Sequence, residues 1–246
     1  MILELDCGNT LIKWRVLDTN LHTVAFVGVV GCVSELVVKL KSLSGISLQR
    51  CRLVSVRSDG ETTSLIASIE QAFAVDCYLA QPALSAAGVK NGYEEYQRLG
   101  MDRWLAIVGA YQLARGACVV IDLGTAITAD YVDAAGNHLG GFICPGLPLM
   151  RDQLRTHTQR IRYEVPASTE QHPLLPGCTT IEAVERGSLL MLRSFACAQL
   201  DVAAQCLGVS FEVLVTGGDS ALIGDSLPFA RVVPDLVFVG LAVVCP

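Results

Sequence analysis

The sequence predicts an α/β fold of two similar halves, residues 1–115 and 116–246, each a mixed β-sheet flanked by helices, with a central cleft between them. Apolar residues form 52% of the chain and charged residues 17%, which is enough to fill several buried layers. Each half starts with three strand-like runs and continues with alternating helices and strands, an order typical of a mixed sheet covered by helices. A strand-turn-strand pattern also recurs about halfway along the chain.

In the first half, the apolar pattern predicts three strands, at 2–6, 11–18 and 23–30. The elements expected next are a helix near 33–43, a strand near 52–56, a helix near 61–73 and a strand near 76–80. An apolar helix that runs through Ala114 completes this half.

The second half repeats this order, with strands expected near 118–122, 126–133 and 138–143. The elements that follow are a helix near 147–157, a long helix from about Thr180 to Leu207, a strand at Phe211–Thr216, a short helix after Gly218, a strand at Ala230–Val233 and a helical run from Pro234. The two halves therefore look like copies of one unit.

The repeat is centred on two Asp-x-Gly turns, which begin at Asp6 and Asp122, 116 residues apart. Each turn follows an apolar run and leads through a Thr into a second strand. The glycine permits a tight turn whose backbone N–H groups can point at phosphate oxygens. The carboxylates would repel phosphate, so we expect them to act through a cation or its water shell. The alternative is an ordinary hairpin turn, because Asp and Gly are both common there.

A second glycine-containing loop is Val215-Thr-Gly-Gly-Asp219, which follows a strand and opens a short helix. Two glycines let a flat ring or a phosphate approach the backbone, and a helix start favours anions. The loop suits the adenosine side of ATP. A plain strand-helix connection explains it equally well.

Between the halves, Gly100-Met-Asp102-Arg103 opens the apolar helix. Asp102 is placed to be a general base that takes a proton from an attacking hydroxyl group. From the residues alone, a helix N-cap is the preferred interpretation of this aspartate. Thr180, at the start of the long helix, is also first an N-cap candidate and only second a substrate contact.

Composition excludes several classes of function. The net charge of −6 opposes binding to nucleic acid. The ten cysteines are scattered and mostly expected to be buried thiols, no CxxC occurs, and the four histidines lack the spacing of a transition-metal site. The N-terminus does not resemble a signal peptide, and the apolar run from Leu236 to Cys245 is shorter than the ~20 residues of a membrane span. We therefore expect a cytoplasmic protein without a membrane partner.

Taken together, these motifs resemble those of a known family. Asp6-Cys-Gly-Asn-Thr10 and Ile121-Asp-Leu-Gly-Thr-Ala126 are similar to the two phosphate loops of type III pantothenate kinases, bacterial members of the acetate and sugar kinase, Hsp70 and actin superfamily. Gly100-Met-Asp102-Arg103 resembles the family's Gly-x-Asp-Arg substrate motif. The resemblance covers essentially the whole chain.

Three further segments carry the same resemblance. Gly140-Gly-Phe-Ile-Cys-Pro-Gly146 is similar to the family's Gly-Gly-x-Ile-x-Pro-Gly segment, and Thr216-Gly-Gly-Asp219 to its nucleoside loop. Thr180-Ile-Glu-Ala183 resembles its Thr-x-x-Ala pattern, with Thr179 where the family often has Asn.

The resemblance implies the duplicated ribonuclease H-like, or actin-like ATPase, fold. It also implies ATP-dependent phosphorylation of pantothenate to 4′-phosphopantothenate, the first step of coenzyme A biosynthesis, with Asp102 as general base. Residues implied to bind pantothenate are Tyr93, Gly100, Met101, Asp102, Arg103 and Thr180. Residues implied to bind ATP are Asp6, Cys7, Gly8, Asn9, Thr10, Leu11, Ile12, Lys13, Thr125, Gly217 and Gly218.

The expected cofactors are ATP with Mg²⁺, which Asp6 would hold through water. The resemblance adds a monovalent cation, K⁺ or NH₄⁺, which Asp122 helps to bind near a homodimer interface that completes the substrate pocket. The expected partners are thus pantothenate, ATP and a second copy of the chain.

Two alternatives remain open. One is a kinase of another small hydroxyl or carboxyl acceptor, such as a sugar or acetate, because Asp-x-Gly turns do not define the acceptor. The other is a non-catalytic regulatory homologue, because the family resembles some accessory transcription factors of bacteria. The presence of Asp102, Arg103 and both turns favours catalysis.

Overall fold

The computed structural model of the chain describes residues 1–21, 23–159, 161 and 174–246. It contains two compact units. The first comprises Met1–Gln112 together with Leu236–Pro246, and the second comprises Leu113–Asp235. Each unit is built on a five-stranded mixed sheet.

The sheet of the first unit has the strand order β3-β2-β1-β4-β5. Its strands are β1 (Ile2–Cys7), β2 (Ile12–Asp18), β3 (Thr23–Val30), β4 (Arg50–Ser55) and β5 (Asp76–Leu79). β1 is antiparallel to β2 and parallel to β4. Side chains alternate along β1, so that Leu3, Leu5 and Cys7 lie in the core while Asp6 points to the opposite face. A carboxylate therefore stands at the end of the central strand.

Two helices cover the core face of this sheet: α1 (Val33–Ser42) and α2 (Asp59–Phe73). α2 begins with a capping box, in which Ser58 and Glu61 each bond the other's backbone N–H. Two strands of two residues, β6 (Ser85–Ala86) and β7 (Val89–Lys90), and a 3₁₀ turn at Tyr96–Arg98 were not predicted. α3 (Met101–Ala114) follows them, where an apolar helix was expected.

The sheet of the second unit has the order β10-β9-β8-β11-β12. Its strands are β8 (Cys118–Leu123), β9 (Ala126–Val132), β10 (His138–Pro145), β11 (Glu212–Thr216) and β12 (Arg231–Val232). The helical elements of this unit are α4 (Leu147–His157), α5 (Thr180–Leu207) and a 3₁₀ turn at Ser220–Ile223. α5 packs its buried residues Leu192, Ala196 and Ala203 into the core of this sheet.

The predicted duplication is confirmed by the two strand orders, which match position by position when β8 is aligned with β1. In both sheets the central strand has an antiparallel neighbour on one side and a parallel neighbour on the other. Each predicted strand and helix is present, with ends shifted by at most two residues.

The C-terminal helix corrects the predicted division into halves. α6 (Leu236–Val244) was assigned to the second half, but it belongs to the first unit and packs on β1 and β4. The centre of the Phe238 ring in this helix lies 4.8 Å from the guanidinium carbon of Arg15. Arg52 Nη1 donates a hydrogen bond to the Cys245 carbonyl oxygen at 2.9 Å. The helix is almost wholly apolar, so its sequence marks it as buried without showing which sheet it covers.

The cysteines also depart from expectation. All ten are free thiols, but only three are buried; the others are half-buried or exposed: Cys32, Cys77, Cys144, Cys178, Cys197, Cys206 and Cys245. Within the ranges described above, no helix combines the length and apolar character that crossing a membrane requires.

Candidate functional site

The first Asp-x-Gly turn connects β1 to β2 in the first unit. Its tip is exposed at Asn9, Thr10 and Leu11, whereas Cys7 and Ile12 are buried in the core. The side chains of Cys7 and Ile12 are therefore unavailable to a ligand, and these two predicted ATP contacts could act only through their backbone. The exposed tip is where a phosphate could approach the backbone N–H groups.

Three charged side chains influence one another at the base of this turn. Asp6 is the register partner of Lys13 across β1 and β2. Burial raises the pKa of Asp6 from 3.8 to about 6; the charge of Lys13 opposes this rise and the nearby carboxylate of Asp102 adds to it. The structure thus brings the predicted ATP-binding pair and the predicted general base into one electrostatic group.

Asp102 lies in the first turn of α3 and is not its N-cap, which corrects the interpretation preferred from the residues alone. Its Oδ1 accepts a hydrogen bond from the Arg103 backbone N–H at 2.8 Å. A Cβ atom at position 100 would lie 2.7 Å from this same oxygen. A side chain at position 100 would therefore displace the carboxylate, and glycine lets Asp102 keep this position.

Arg103 and Tyr93 form a pair beside Asp102. Arg103 Nη1 donates to the Tyr93 hydroxyl oxygen at 2.7 Å, and the guanidinium carbon lies 5.5 Å from the centre of the ring. The Tyr93 backbone N–H is bound in turn by Asn91 Oδ1 at 3.0 Å. The first unit thereby assembles five of the six predicted pantothenate residues, including Gly100 and Met101.

The second Asp-x-Gly turn, in the second unit, is enclosed by backbone. Gly217 has φ +92°, and a Cβ atom there would lie 2.4 Å from the Leu123 carbonyl oxygen and 2.5 Å from Asp122 Oδ1. Only glycine fits this position. The Asp219 backbone N–H donates to the Leu123 carbonyl oxygen at 3.0 Å. Thr125 is exposed, and its carbonyl oxygen accepts a hydrogen bond from the Gly146 N–H at 2.9 Å.

The sixth predicted pantothenate residue, Thr180, belongs to the second unit. It is exposed and is the first residue of α5. The N-cap is Thr179, whose side chain accepts a hydrogen bond from the Glu182 N–H at 3.2 Å within a capping box. The expectation that Thr180 caps the helix is therefore wrong. Two adjacent threonines made the cap ambiguous in the sequence, and its position leaves the Thr180 hydroxyl without a capping role.

Two arginines near the turns were missed by the sequence analysis. Arg57, in the connection from β4 to α2, donates from Nε to the Gly8 carbonyl oxygen at 2.8 Å. Arg151 of α4 pairs with Glu185 of α5. Burial raises the pKa of Asp219, beside the second turn, and the charge of Arg151 opposes that rise. Neither arginine lies in a motif, and only strand pairing and helix packing bring them to the turns.

The carboxylates at the two turns could supply only a few of the ligands that a bound cation needs. Across the residues that the structure describes, no three His, Cys, Asp or Glu residues form a group able to hold a metal ion; His22 and His172 lie outside those residues. Asp6 with Asp102, and Asp122 with the surrounding backbone, can each supply one or two oxygens. This fits Mg²⁺ held partly by water and by substrate phosphates, and a monovalent cation held partly by carbonyl groups.

Comparison with protein families finds a match over residues 2–200 to the model described as type III pantothenate kinase. Similar curated proteins carry the same description. One from Pseudomonas putida strain F1 is 58% identical over 100% of this chain and 99% of its own length. One from Ectopseudomonas mendocina is 56% identical, again over 100% of this chain and 99% of its own length.

Solved structures show the fold. A Baf-family transcriptional activator from Campylobacter jejuni aligns with a TM-score of 0.60 and 21% identity, over 98% of this chain and 96% of its own. The ethanolamine utilization protein EutJ from Carboxydothermus hydrogenoformans aligns with a TM-score of 0.53 and 13% identity, over 98% and 88%. At such identities the likeness extends to the fold alone, which is the actin-like ATPase fold predicted from the sequence.

Proposed function

The chain belongs to the type III pantothenate kinase family, and we propose that it transfers the γ-phosphoryl group of ATP to pantothenate, giving 4′-phosphopantothenate for coenzyme A biosynthesis, with Asp102 as general base. The observation that carries the assignment of the base is the position of Asp102, which lies against Gly100 and close enough to Asp6 to raise its pKa. A carboxylate beside the phosphate turn is placed to accept the proton of an attacking hydroxyl group during phosphoryl transfer.

In this proposal Asp102 accepts the proton as the O–H bond of the pantothenate hydroxyl breaks. The hydroxyl oxygen forms a bond to the γ-phosphorus, and the bond from that phosphorus to the bridging oxygen breaks to release ADP. The hydrogen bond from the Arg103 N–H to Asp102 Oδ1 fixes the orientation of the carboxylate. Arg103 and Tyr93, already paired with each other, would hold polar groups of pantothenate together with Gly100 and Met101, and Thr180 would add its exposed hydroxyl.

ATP would bind at both Asp-x-Gly turns. In the first unit we assign the phosphates to the exposed backbone of residues 8–11 and to Lys13, whose charge already acts on Asp6. In the second unit we assign ATP contacts to Thr125, Gly217 and Gly218. A Cβ atom at Gly218 would meet no atom within 4 Å, so the backbone there leaves room for a flat ring or a phosphate, whereas the space beside Gly217 is taken by Leu123 and Asp122.

Cations complete the proposed site. Asp6 would hold Mg²⁺ through water, and Asp122 would hold K⁺ or NH₄⁺. When bound, these ions neutralise charge on the phosphate oxygens. The carboxylates and carbonyl groups that this chain presents are ligands of the hard type that such ions prefer.

We also propose a homodimer and a cytoplasmic location, where ATP is available. Exposed apolar side chains on β10, an edge strand of the second sheet, support a surface for a second copy: Leu139, Phe142 and Ile143. The molar mass of the protein in solution, measured by light scattering, should be about twice the 26.3 kDa of one chain. A mass of one chain would remove the dimer from the proposal.

The test of function is release of ADP from MgATP by the purified protein, measured with pantothenate and separately with a panel of sugars and acetate. We expect ADP release that depends on pantothenate and on K⁺ or NH₄⁺. Release with another acceptor instead would indicate a different kinase of the same fold. No release with any acceptor across a range of cations would support a regulatory homologue.

A further inference from the structure

Arg57 lies beside the first phosphate turn because of how the sheet is paired. β4 runs parallel to β1, and their last register pair is Cys7 with Ser55. Both strands therefore end at the same edge of the sheet, which is where ligands bind in α/β folds. The backbone bond from Val56 N–H to the Cys7 carbonyl, 3.1 Å, continues the pairing for one more residue. The next side chain, that of Arg57, is thereby delivered to the turn.

One donor of this guanidinium is already in use. Nε donates to the Gly8 carbonyl oxygen at 2.8 Å, which anchors the side chain to the turn itself. An arginine has five N–H donors in a rigid planar arrangement, so four remain at the two terminal nitrogens. In the part of the chain that the structure describes, no carboxylate forms an ion pair with Arg57. Its charge contributes weakly to lowering the pKa of the exposed Glu61, after the hydrogen bonds from Ser58.

The charges at this turn call for a second cation. Asp6 and Asp102 place two carboxylates near a site proposed for a polyphosphate, while Lys13 is the cation paired in register with Asp6. The charge of Arg57 also reaches the turn, because its Nε lies 2.8 Å from the Gly8 carbonyl oxygen. A guanidinium at this place adds a second positive charge for the phosphates that the two carboxylates would repel.

We propose that Arg57 is an ATP-binding residue whose terminal N–H groups donate to the phosphate oxygens while its Nε stays on Gly8. Planar, paired donors suit phosphate better than a single ammonium group does. At the matching position of the second unit, two residues after β11, the chain has Gly218 instead of an arginine. This assignment rests on the proposed ATP site but not on pantothenate as the acceptor.

The test measures the dissociation constants of MgATP, MgADP and AMP by calorimetry without pantothenate, for the unaltered protein and for R57Q, R57K and R50Q. Arg50 is the matched control, because it lies at the other end of β4 and donates to the Pro246 carbonyl oxygen at 2.7 Å. We expect R57Q to weaken MgATP binding by about 10- to 100-fold, with a smaller loss for AMP. R57K should recover part of the affinity, because it keeps the charge but not the paired donors, and R50Q should bind MgATP within about twofold of the unaltered protein.

Two results would overturn the assignment. One is an affinity of R57Q for MgATP within about twofold of that of the unaltered protein. The other is an equal loss of MgATP affinity in R57Q and R57K, which would mean that Arg57 only shapes the turn. A protein that binds MgATP through Arg57 but does not phosphorylate pantothenate supports the assignment and removes only the proposed acceptor. If the unaltered protein does not bind MgATP, both proposals fail. Thermal unfolding of each variant shows whether a loss of binding reflects a loss of fold.

Discussion

The two Asp-x-Gly turns end equivalent strands of the two sheets, but they are built from different parts of the chain. At the first turn, Asp6 is surrounded by charged side chains: Lys13 in register with it, Asp102 close enough to raise its pKa, and Arg57 bound to the Gly8 carbonyl oxygen at 2.8 Å. The first turn is therefore distinguished by the charged side chains around its carboxylate.

The second turn is distinguished by how closely backbone atoms pack around it. The backbone of Gly217 lies against the Asp122 carboxylate and the Leu123 carbonyl oxygen, and the Asp219 N–H donates to that same oxygen at 3.0 Å. The duplication has thus kept the strand order around both turns, whereas the groups that surround each turn differ. We expect the first turn to respond most to changes of charge and the second to added volume.

The largest effect is expected from Asp102→Asn, which removes the base from the charged turn. The amide keeps the shape beside Gly100 but cannot take the hydroxyl proton. We expect kcat to fall by about 10³-fold or more with little change in the dissociation constant of MgATP. Steady-state kinetics and calorimetry measure the two. Near-normal turnover would mean that the charge of Asp102 serves another purpose.

The next largest effect is expected from adding a methyl group at a glycine of the second turn, compared with the same change at the first. Gly217→Ala must place its Cβ within 2.5 Å of two oxygens at φ +92°, whereas Gly8→Ala meets only the Leu11 carbonyl oxygen at 3.3 Å. We expect Gly217→Ala to lower the free energy of unfolding by about 2–4 kcal/mol and to weaken MgATP binding at least tenfold. Gly8→Ala should cost under about 1 kcal/mol. Equal costs in denaturant titrations would break the comparison.

A pH-dependent effect is expected at the first turn from Asp6→Asn. Because the folded-state pKa of Asp6 is raised from 3.8 to about 6, its protonated form stabilises the fold, and this contribution is lost as the pH rises through about 6. Relative to the unaltered protein, Asp6→Asn should gain at most about 3 kcal/mol of unfolding free energy above pH 7 and nothing below about pH 4.

The control for Asp6→Asn is Asp201→Asn, on the exposed surface of α5. Thermal unfolding of both variants from pH 4 to 8 separates the buried carboxylate from the general effect of removing one charge. A gain for Asp6→Asn that does not depend on pH would contradict the raised pKa. Catalytic activity of this variant should fall, because the proposed Mg²⁺ ligand is gone.

The smallest effect separates two neighbouring threonines in the second unit. Thr179→Ala removes the N-cap of α5 and should cost about 1 kcal/mol of unfolding free energy. Thr180→Ala should leave stability within about 0.5 kcal/mol and instead raise KM for pantothenate. Denaturant titration and kinetics of the pair test this division. The reverse pattern would place the cap, and not the substrate contact, at Thr180.

Much of the fold could be predicted because local patterns determine it. The apolar runs from Ile2 and Val119 and the helical pattern of α5 predicted strands and helices within two residues of their ends. The side to which α6 packs could not be predicted, because an apolar helix fits any buried face. β6 and β7 were missed because two-residue strands carry no periodicity.

The site was predictable where it lies in motifs and not where it depends on pairing. Asp102 and Arg103 were found through their motif, and the structure places them beside Tyr93. The role of Gly100 in making room for the carboxylate is visible only in three dimensions. Arg57 is 51 residues from Asp6 in the chain and reaches the turn only because β4 pairs with β1.

The most direct test follows the phosphoryl group itself. The purified protein is incubated with pantothenate, Mg²⁺, K⁺ and ATP that carries ¹⁸O in its γ-phosphate, and the products are identified by mass spectrometry. We predict labelled 4′-phosphopantothenate from the unaltered protein and, over the same time, at least about 10³-fold less from the Asp102→Asn variant. Label found only in inorganic phosphate, with pantothenate unchanged, would contradict the assignment of the chain as a kinase with Asp102 as its base.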